Sequence, residues 1–342
     1  MIKKIIKYNV ISFISALFAI LGTVLGSGFV SGKEIVVFFS RFGLWSYPAI
    51  AIVFVLFYYI LKALLSACEW VGKTFKESKF ALSLNLIVCT IFSSSMFAGV
   101  SDMLGENKLF YCIIMAIVLA VCFVVSKRGI SCLDKINLTM VPFMFATLCV
   151  MVVKLFCRGS AEIASTSFGG ASVFYAVLYV LLNTSNSCLL FAEIGKRFSA
   201  KQKARLALVS ALVLSVMLAF VNTALLINPQ VLGENMPLLA LFNGAFGVVV
   251  SSAIFVGCLT TLFSLIYGCS SSMRGLCKNE IIIFLISVIT PFAISFLGFG
   301  VIVQWLYPLV SVLGAILLLA VLFVPLFKRG NKKIHSTRKH TK

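Results

Sequence analysis

The chain has 342 residues, of which 61% are hydrophobic and only 11% carry a charged side chain. A soluble domain has roughly 25% charged residues, so this composition excludes an ordinary soluble protein. A net charge of +19 would suit nucleic-acid binding, but the basic residues are spread between apolar segments rather than gathered in one patch, which argues against a nucleic-acid partner.

Apolar runs of about twenty residues follow one another along the chain, each long enough to cross a hydrocarbon core roughly 30 Å thick as a helix. The pattern predicts an all-α polytopic membrane protein, with one membrane domain over residues 1–327 and a basic cytoplasmic tail over residues 328–342. The ten predicted spans are residues 8–39, 46–68, 80–100, 109–126, 136–156, 168–194, 206–227, 244–272, 281–297 and 301–327.

The first apolar run also begins like a secretory signal peptide, with basic residues before it. It continues through Gly26 and Gly28 into a second apolar run, residues 35–39, whereas a cleavable signal usually ends sooner. We therefore expect a retained first span.

Loop charges indicate the orientation, because cytoplasmic loops are enriched in Lys and Arg. With both termini in the cytoplasm of a cell-membrane protein, most of the 29 basic residues lie inside. The few left outside are Lys33, Arg41, Lys108, Lys154 and Arg158.

Enzyme chemistry and a bound cofactor are not expected in the membrane domain. The eleven cysteines lie mostly within apolar runs without metal-binding spacing, and both histidines, His335 and His340, lie in the tail. Free cysteines in such runs behave as small hydrophobic residues.

Spans 1 and 6 are longer than a bilayer requires, and small or polar residues interrupt both. Each opens a half of similar length, residues 8–156 and residues 168–327, and five spans per half require the second half to be inverted relative to the first. Two interrupted helices at corresponding positions of inverted halves point to a transporter binding site.

Span 1 contains four glycines in the stretch GTVLGSGFVSG, residues 22–32. Each glycine in a helix interior costs about 1 kcal/mol relative to alanine, so the helix is expected to unwind there. A half-helix starting near Phe29 would then direct its positive end at an anionic group such as a carboxylate. The alternative is helix packing through the pairs Gly22/Gly26 and Gly28/Gly32.

Span 6 contains five consecutive polar residues, Asn183, Thr184, Ser185, Asn186 and Ser187. Hydrogen bonding to a neighbouring helix would explain one or two of them, but five in a row cannot all face one neighbour. We therefore predict a water-accessible binding site at this break.

Two further groups of polar residues have a functional and a structural interpretation. Thr260 and Thr261 in span 8 are possible oxygen ligands for sodium, but taken alone they are better explained as bonding to their own helix carbonyls. The ionisable residues nearest the membrane are Lys33, Glu34, Lys154 and Glu193. We place the first three towards the outer face and Glu193 towards the inner face, in gate or loop contacts rather than a proton relay.

The stretch GTVLGSGFVSGKEI, in which the glycine-rich part is followed by Glu34 and then by Phe38-Phe39, resembles the YkvI-type bacterial membrane proteins of the amino acid–polyamine–organocation superfamily. The resemblance implies a LeuT-like fold, with five plus five inverted spans and broken helices 1 and 6. In sodium-coupled members of that fold, sodium lies between the span 1 break and a hydroxyl pair on span 8. The implied ligands here are the carbonyls of Gly22, Leu25 and Gly257 and the hydroxyls of Thr260 and Thr261.

Phe29 stands where neurotransmitter symporters have an asparagine, so a second sodium is not implied. The GSGF stretch is similar to the GSGI of amino acid carriers, in which backbone amides hold a substrate carboxylate. We therefore expect a sodium-coupled symporter of an amino acid or related zwitterion or amine. The predicted substrate-binding residues are Gly26, Ser27, Gly28, Asn183, Ser185, Asn186 and Ser187. The alternatives are a proton-coupled or uncoupled carrier and, less favoured, a channel or receptor-like protein.

Overall fold

The computed structural model describes residues 2–104, 108–128, 130–156, 169–274 and 277–322. Within those ranges the chain is helical throughout its apolar segments. The first group of helices is α1 Ile2–Val24, α2 Ser27–Val30, α3 Lys33–Phe38, α4 Ser46–Ser66, α5 Cys68–Glu77, α6 Lys79–Leu104, α7 Lys108–Arg128 and α8 Ile130–Phe156. The second is α9 Gly170–Ser185, α10 Cys188–Gly195, α11 Ala200–Leu226, α12 Pro237–Ala240, α13 Gly244–Met273, α14 Glu280–Phe284, α15 Thr290–Ile294, α16 Phe299–Val301 and α17 Tyr307–Leu322.

Seven helical segments in the described ranges are long and apolar enough to cross a membrane, and the bent pair α9–α10 makes an eighth. Two shorter apolar segments, Ile11–Val24 and Tyr111–Lys127, lie in the predicted spans 1 and 4. The all-α polytopic class is therefore confirmed. The count of ten crossings, the inverted repeat and the two halves stay predictions, and the basic tail lies outside the described residues.

Several helix ends differ from the predicted ones. Helix α11 begins at Ala200 rather than at residue 206, because Ser199 and Gln202 form a capping box at its amino end. Lys201, Lys203 and Arg205, which the predicted span boundaries place in a loop, therefore lie on the first turns of α11. The predicted loop after span 2 contains an amphipathic helix, α5, that buries Val71 and Phe75.

The last two spans each contain a π-helical turn, Leu285–Ile289 and Ile302–Leu306. A proline follows each turn two residues later, Pro291 and Pro308. Proline has no amide hydrogen and its ring collides with the carbonyl four residues earlier, which explains the local widening of the helix.

Helix α13 is the central element of the bundle. It packs against α6, α8 and α1, and it also contacts the short helix α2. Helix α9 packs against α4 and α17, and α3 lies between α9 and α11. The middle of span 1 is consequently enclosed by protein on several sides rather than exposed to lipid.

Candidate functional site

Span 1 is interrupted twice. Helix α1 ends at Val24, and after Leu25 and Gly26 the chain resumes as α2, only four residues long. A second turn at Ser31 and Gly32 then separates α2 from α3, and Gly32 has a φ of 85°, a conformation that favours glycine. The predicted unwinding is present, but the predicted half-helix from Phe29 is divided, so a large helix dipole at the break is not available.

Thr261 connects span 8 to this break. Its hydroxyl donates a hydrogen bond to the Gly22 carbonyl at 2.9 Å, and a Cβ added to Gly26 would lie 2.9 Å from the same hydroxyl. Thr260 instead donates to the Gly257 carbonyl of its own helix at 3.1 Å. Of the two threonines, only Thr261 reaches across to span 1.

Gly257 lets α13 come close to the chain at Leu25, directly after the end of α1. A Cβ on Gly257 would lie 3.4 Å from the Leu25 carbonyl oxygen. The five residues implied as sodium ligands are thus neighbours, and their hydroxyl and carbonyl groups are the oxygen donors that hard cations accept. The donor chemistry fits sodium, although the Thr260 hydroxyl is turned towards its own helix; the site itself stays a prediction.

Span 6 is broken as well, and its two parts, α9 and α10, are bent by 61°. The break is shorter than the polar stretch predicts, because Asn183, Thr184 and Ser185 still belong to α9. Only Asn186 and Ser187 lie between the helices, and the Ser187 hydroxyl donates to the Asn186 side-chain oxygen at 2.6 Å.

The polar residues of span 6 face different neighbours. Asn183 points to Glu34 in span 1, whereas Ser185 lies against α17, where a Cβ on Gly314 would meet its hydroxyl. The Asn186 carbonyl accepts a weak bond from the Cys89 thiol of α6 at 3.5 Å. The structure therefore brings Asn183, but not Ser185, to the span 1 break.

Glu34 joins the two spans. The Asn183 amide nitrogen donates to its Oε1 at 3.2 Å, and a Cβ on Gly28 would lie 2.7 Å from its Oε2. Glu34 is only 1% exposed and bonds to Asn183 of span 6 rather than to a loop, so the predicted loop contact is wrong, whereas its placement towards the outer face and a gate role stay predictions. The short break after α2 turns α3 back into the protein and carries Glu34 with it.

One feature of the sequence marks Glu34 as a candidate functional residue. It is the only acidic residue between Met1 and Cys68, directly after the glycine-rich stretch. An ionisable residue at membrane depth is functional by default. A loop contact was expected because a helix running unbroken from Phe29 through residue 39 would have carried Glu34 towards the end of the span.

Several buried polar atoms around Glu34 have no hydrogen-bond partner. They include Glu34 Oε2, Asn183 Oδ1 and the Tyr179 hydroxyl. Tyr179 lies one turn before Asn183 on α9, and its ring packs against Phe38 and Phe39 of α3 with centroids 5.7 and 5.0 Å apart. Buried polar groups in proteins are normally paired, so a cluster of unpaired ones indicates a ligand site.

Of the other ionisable residues near the membrane, Lys33 and Glu193 contact loop residues and Lys154 contacts α13, and their placement towards either membrane face stays a prediction. Lys33 donates from its Nζ to the Glu234 carbonyl at 2.8 Å, and Lys154 lies over the Phe246 ring at 3.6 Å. Glu193 pairs with Lys196 one turn further along. Lys33 begins α3 directly after the second turn of span 1 but reaches away from Glu34, and Lys154 and Glu193 lie outside the breaks.

The connection between α11 and α13 covers the second turn of span 1. Besides the Lys33 contact, the Leu238 amide donates to the Ser31 carbonyl at 2.8 Å. A Cβ on Gly32 would lie 3.0 Å from the Leu238 side chain. The turn between α2 and α3 is therefore held by backbone contacts to residues 227–243.

Ser27 begins α2, but its side chain lies outside the described part of the chain. Gly26 and Gly28 flank it, and both are buried at the break. Of the predicted substrate-binding residues, Gly26, Gly28 and Asn183 are therefore close to one polar cluster. Asn186 and Ser187 lie at the second break beside α6, and the binding role of all seven residues stays a prediction.

Comparison with known proteins agrees with this architecture. No protein-family model matches the chain. The chain is 23% identical over 315 residues to the uncharacterized membrane protein YkvI of Bacillus subtilis (strain 168), covering 85% of this chain and 90% of that protein. The resemblance to YkvI-type membrane proteins is confirmed.

A solved structure is similar over most of the chain. It is the manganese transporter of Eremococcus coleocola in complex with an aromatic bis-isothiourea substituted compound, with a TM-score of 0.54 and 12% identity. The match covers 91% of this chain and 77% of that one. At this identity the likeness concerns the fold alone, so the chain shares the overall fold of that multi-pass membrane protein.

Proposed function

We propose that the protein is a secondary-active transporter that carries an amino acid, or a related zwitterion or amine, by sodium-coupled symport with alternating access. It would lie in the cytoplasmic membrane with both termini in the cytoplasm. The observation that supports this most is the contact between Asn183 of span 6 and Glu34 of span 1, beside Gly28. Two interrupted helices that meet at one buried polar cluster form the kind of site that transporters place at the bilayer midplane.

Different residues at the span 1 break would bind the sodium ion and the carboxylate of the solute. Gly22, Leu25, Gly257, Thr260 and Thr261 offer oxygen atoms, and a bound sodium ion would supply positive charge that links α1 to α13. Gly26 and Gly28 let Thr261 and Glu34 approach the backbone of the break closely, because a Cβ at either position would collide with one of those side chains. The first amides of α2 have no acceptor within that short helix, so they can donate hydrogen bonds to a carboxylate without the help of a large helix dipole.

Uptake into proteoliposomes tests this function. Purified protein would be reconstituted, and the accumulation of a panel of radiolabelled amino acids and amines would be measured with a sodium gradient, a potassium gradient and a proton gradient. Accumulation driven by sodium supports the proposal. Accumulation under the proton gradient alone, or without any gradient, supports the proton-coupled or uncoupled carrier instead. If no solute enters under any condition, the transport assignment fails.

A divalent metal is the second candidate substrate. The similar solved structure is a manganese transporter, and the groups around Glu34 are carboxylate and amide oxygens, which manganese also accepts. Manganese uptake in the same vesicles, followed with a fluorescent metal indicator, decides between the two. Uptake of manganese but of no organic solute would favour the metal.

A further inference from the structure

Glu34 lies in the protein interior, where few neighbouring groups could stabilise a negative charge on its carboxylate. Asn183 donates one hydrogen bond to Oε1, whereas Oε2 is buried without a partner. No Lys or Arg within the described ranges forms an ion pair with it, and the adjacent Lys33 reaches away to the Glu234 carbonyl. An ionised carboxylate in such a place is strongly disfavoured unless a positive group pairs with it.

Three unpaired oxygen atoms come from this one region. Glu34 Oε2, Asn183 Oδ1 and the Tyr179 hydroxyl oxygen can all accept hydrogen bonds. Asn183 and Tyr179 lie one turn apart on α9, and the Asn183 amide nitrogen bonds both the Tyr179 carbonyl and Glu34. The nitrogen of Asn183 is thereby fixed, and its oxygen remains as an acceptor.

A primary ammonium group matches this set of acceptors. It carries one positive charge and three N–H donors and accepts nothing. A proton on Glu34 would neutralise the carboxylate and supply one donor, and the Tyr179 hydroxyl hydrogen is a second, which is fewer than the three donors of an ammonium group. An ammonium group supplies the charge that Glu34 lacks and up to three donors.

We propose that Glu34, Asn183 and Tyr179 form the subsite for the ammonium group of a small primary amine or amino acid. The inference rests on the proposed transport function. It adds that the protein recognises the solute by its ammonium group. The carboxylate of an amino acid would then lie towards Gly26 and Gly28, because Gly28 contacts Glu34 on the side of the α1–α2 break.

The test compares three probes on the full-length protein purified in detergent. Alanine carries both charged groups, ethylamine lacks the carboxylate, and propionate lacks the ammonium. Binding of each would be measured calorimetrically to the wild type, to Glu34→Gln and to the control Glu77→Gln. Glu77 is exposed and pairs with Lys73 on the surface, so it undergoes the same chemical change away from the site.

Loss of a charge-assisted hydrogen bond should weaken alanine and ethylamine binding about ten- to a hundredfold in Glu34→Gln. The control Glu77→Gln should bind like the wild type, and propionate should bind weakly to all three proteins. Glutamine still accepts a bond from Asn183, so the variant should fold; an unchanged elution profile in size exclusion confirms this.

Three results overturn the inference. Equal alanine binding by the wild type and Glu34→Gln would leave the transport function standing and remove Glu34 from recognition. Propionate binding as tight as that of alanine would show that the ammonium group is not recognised. A wild type that binds none of the three probes refutes this subsite, whereas the transport function falls only if the wider uptake panel also fails.

Discussion

The amide nitrogen of Asn183 donates a hydrogen bond to Glu34 at 3.2 Å and so links the last turn of α9 to the first turn of α3. The two residues are 149 positions apart in the chain, and each lies beside a break in a predicted membrane span. This contact makes the two breaks parts of one region, and it determines which substitutions should affect solute binding.

Replacing Thr261 by valine should remove the link between α13 and the span 1 break. The Gly22 carbonyl would lose its donor, a loss of roughly 1–3 kcal/mol for a buried group. Thermal unfolding should occur at a lower temperature, and stabilisation by sodium over potassium should disappear.

Thr260→Val is the comparison for the loss of the interhelical bond only, because Thr260 is itself a proposed sodium ligand. Its hydroxyl bonds within its own helix, so the expected loss of stability is smaller, about 0.6 kcal/mol. Sodium-dependent stabilisation that survives Thr261→Val would exclude the proposed ion site.

A methyl group at Gly28 should displace Glu34. The added Cβ would lie 2.7 Å from Oε2 and 3.1 Å from the Glu34 Cβ, so either the side chain or α3 must move. Overpacking of this kind costs roughly 1–3 kcal/mol, and binding of alanine and ethylamine should weaken together with the melting temperature.

Gly72→Ala provides the comparison for Gly28→Ala. A Cβ at Gly72, in the middle of α5, would meet nothing within 4 Å. Alanine is favoured over glycine in a helix by about 1 kcal/mol, so this variant should melt at an equal or higher temperature. Equal melting temperatures for both glycine variants would contradict the crowding at Gly28.

Replacing Tyr179 by phenylalanine tests whether its hydroxyl contributes to amine binding, because the ring can keep its packing. The ring contacts with Phe38 and Phe39 remain in Tyr179→Phe, and the deleted hydroxyl has no partner in the described structure. The melting temperature should therefore stay the same or rise. Affinity for ethylamine should fall about two- to tenfold, as measured by calorimetry, because one acceptor is lost. Unchanged affinity would remove Tyr179 from the subsite.

Lys33→Met should loosen the connection between α11 and α13 without altering the Glu34 cluster. The lysine ammonium holds the Glu234 carbonyl, and methionine keeps a side chain of similar length without the donor. Hydrogen exchange of residues 229–240 should become faster, whereas exchange in α9 should not change. Faster exchange in α9 would mean that Lys33 supports the site itself.

The membrane class, most helix positions and both breaks could be predicted from the sequence, because these properties depend on local composition. Runs of apolar residues give spans whatever their neighbours are, and clustered glycines weaken a helix wherever it lies. The positions of side chains at the breaks could not be predicted in the same way. Ser185 and Asn183 are two residues apart in one polar run, yet one faces α17 and the other faces span 1.

The sequence by itself determined that the chain is a bundle of membrane helices with interruptions in its first and sixth spans. Only the tertiary structure decided that Glu34 is a core residue, because its burial depends on a second turn at Ser31–Gly32 and on how α3 packs against α9 and α11. Whether a carboxylate meets lipid headgroups, water or a buried amide is a property of the elements around it, and those elements come from distant parts of the chain.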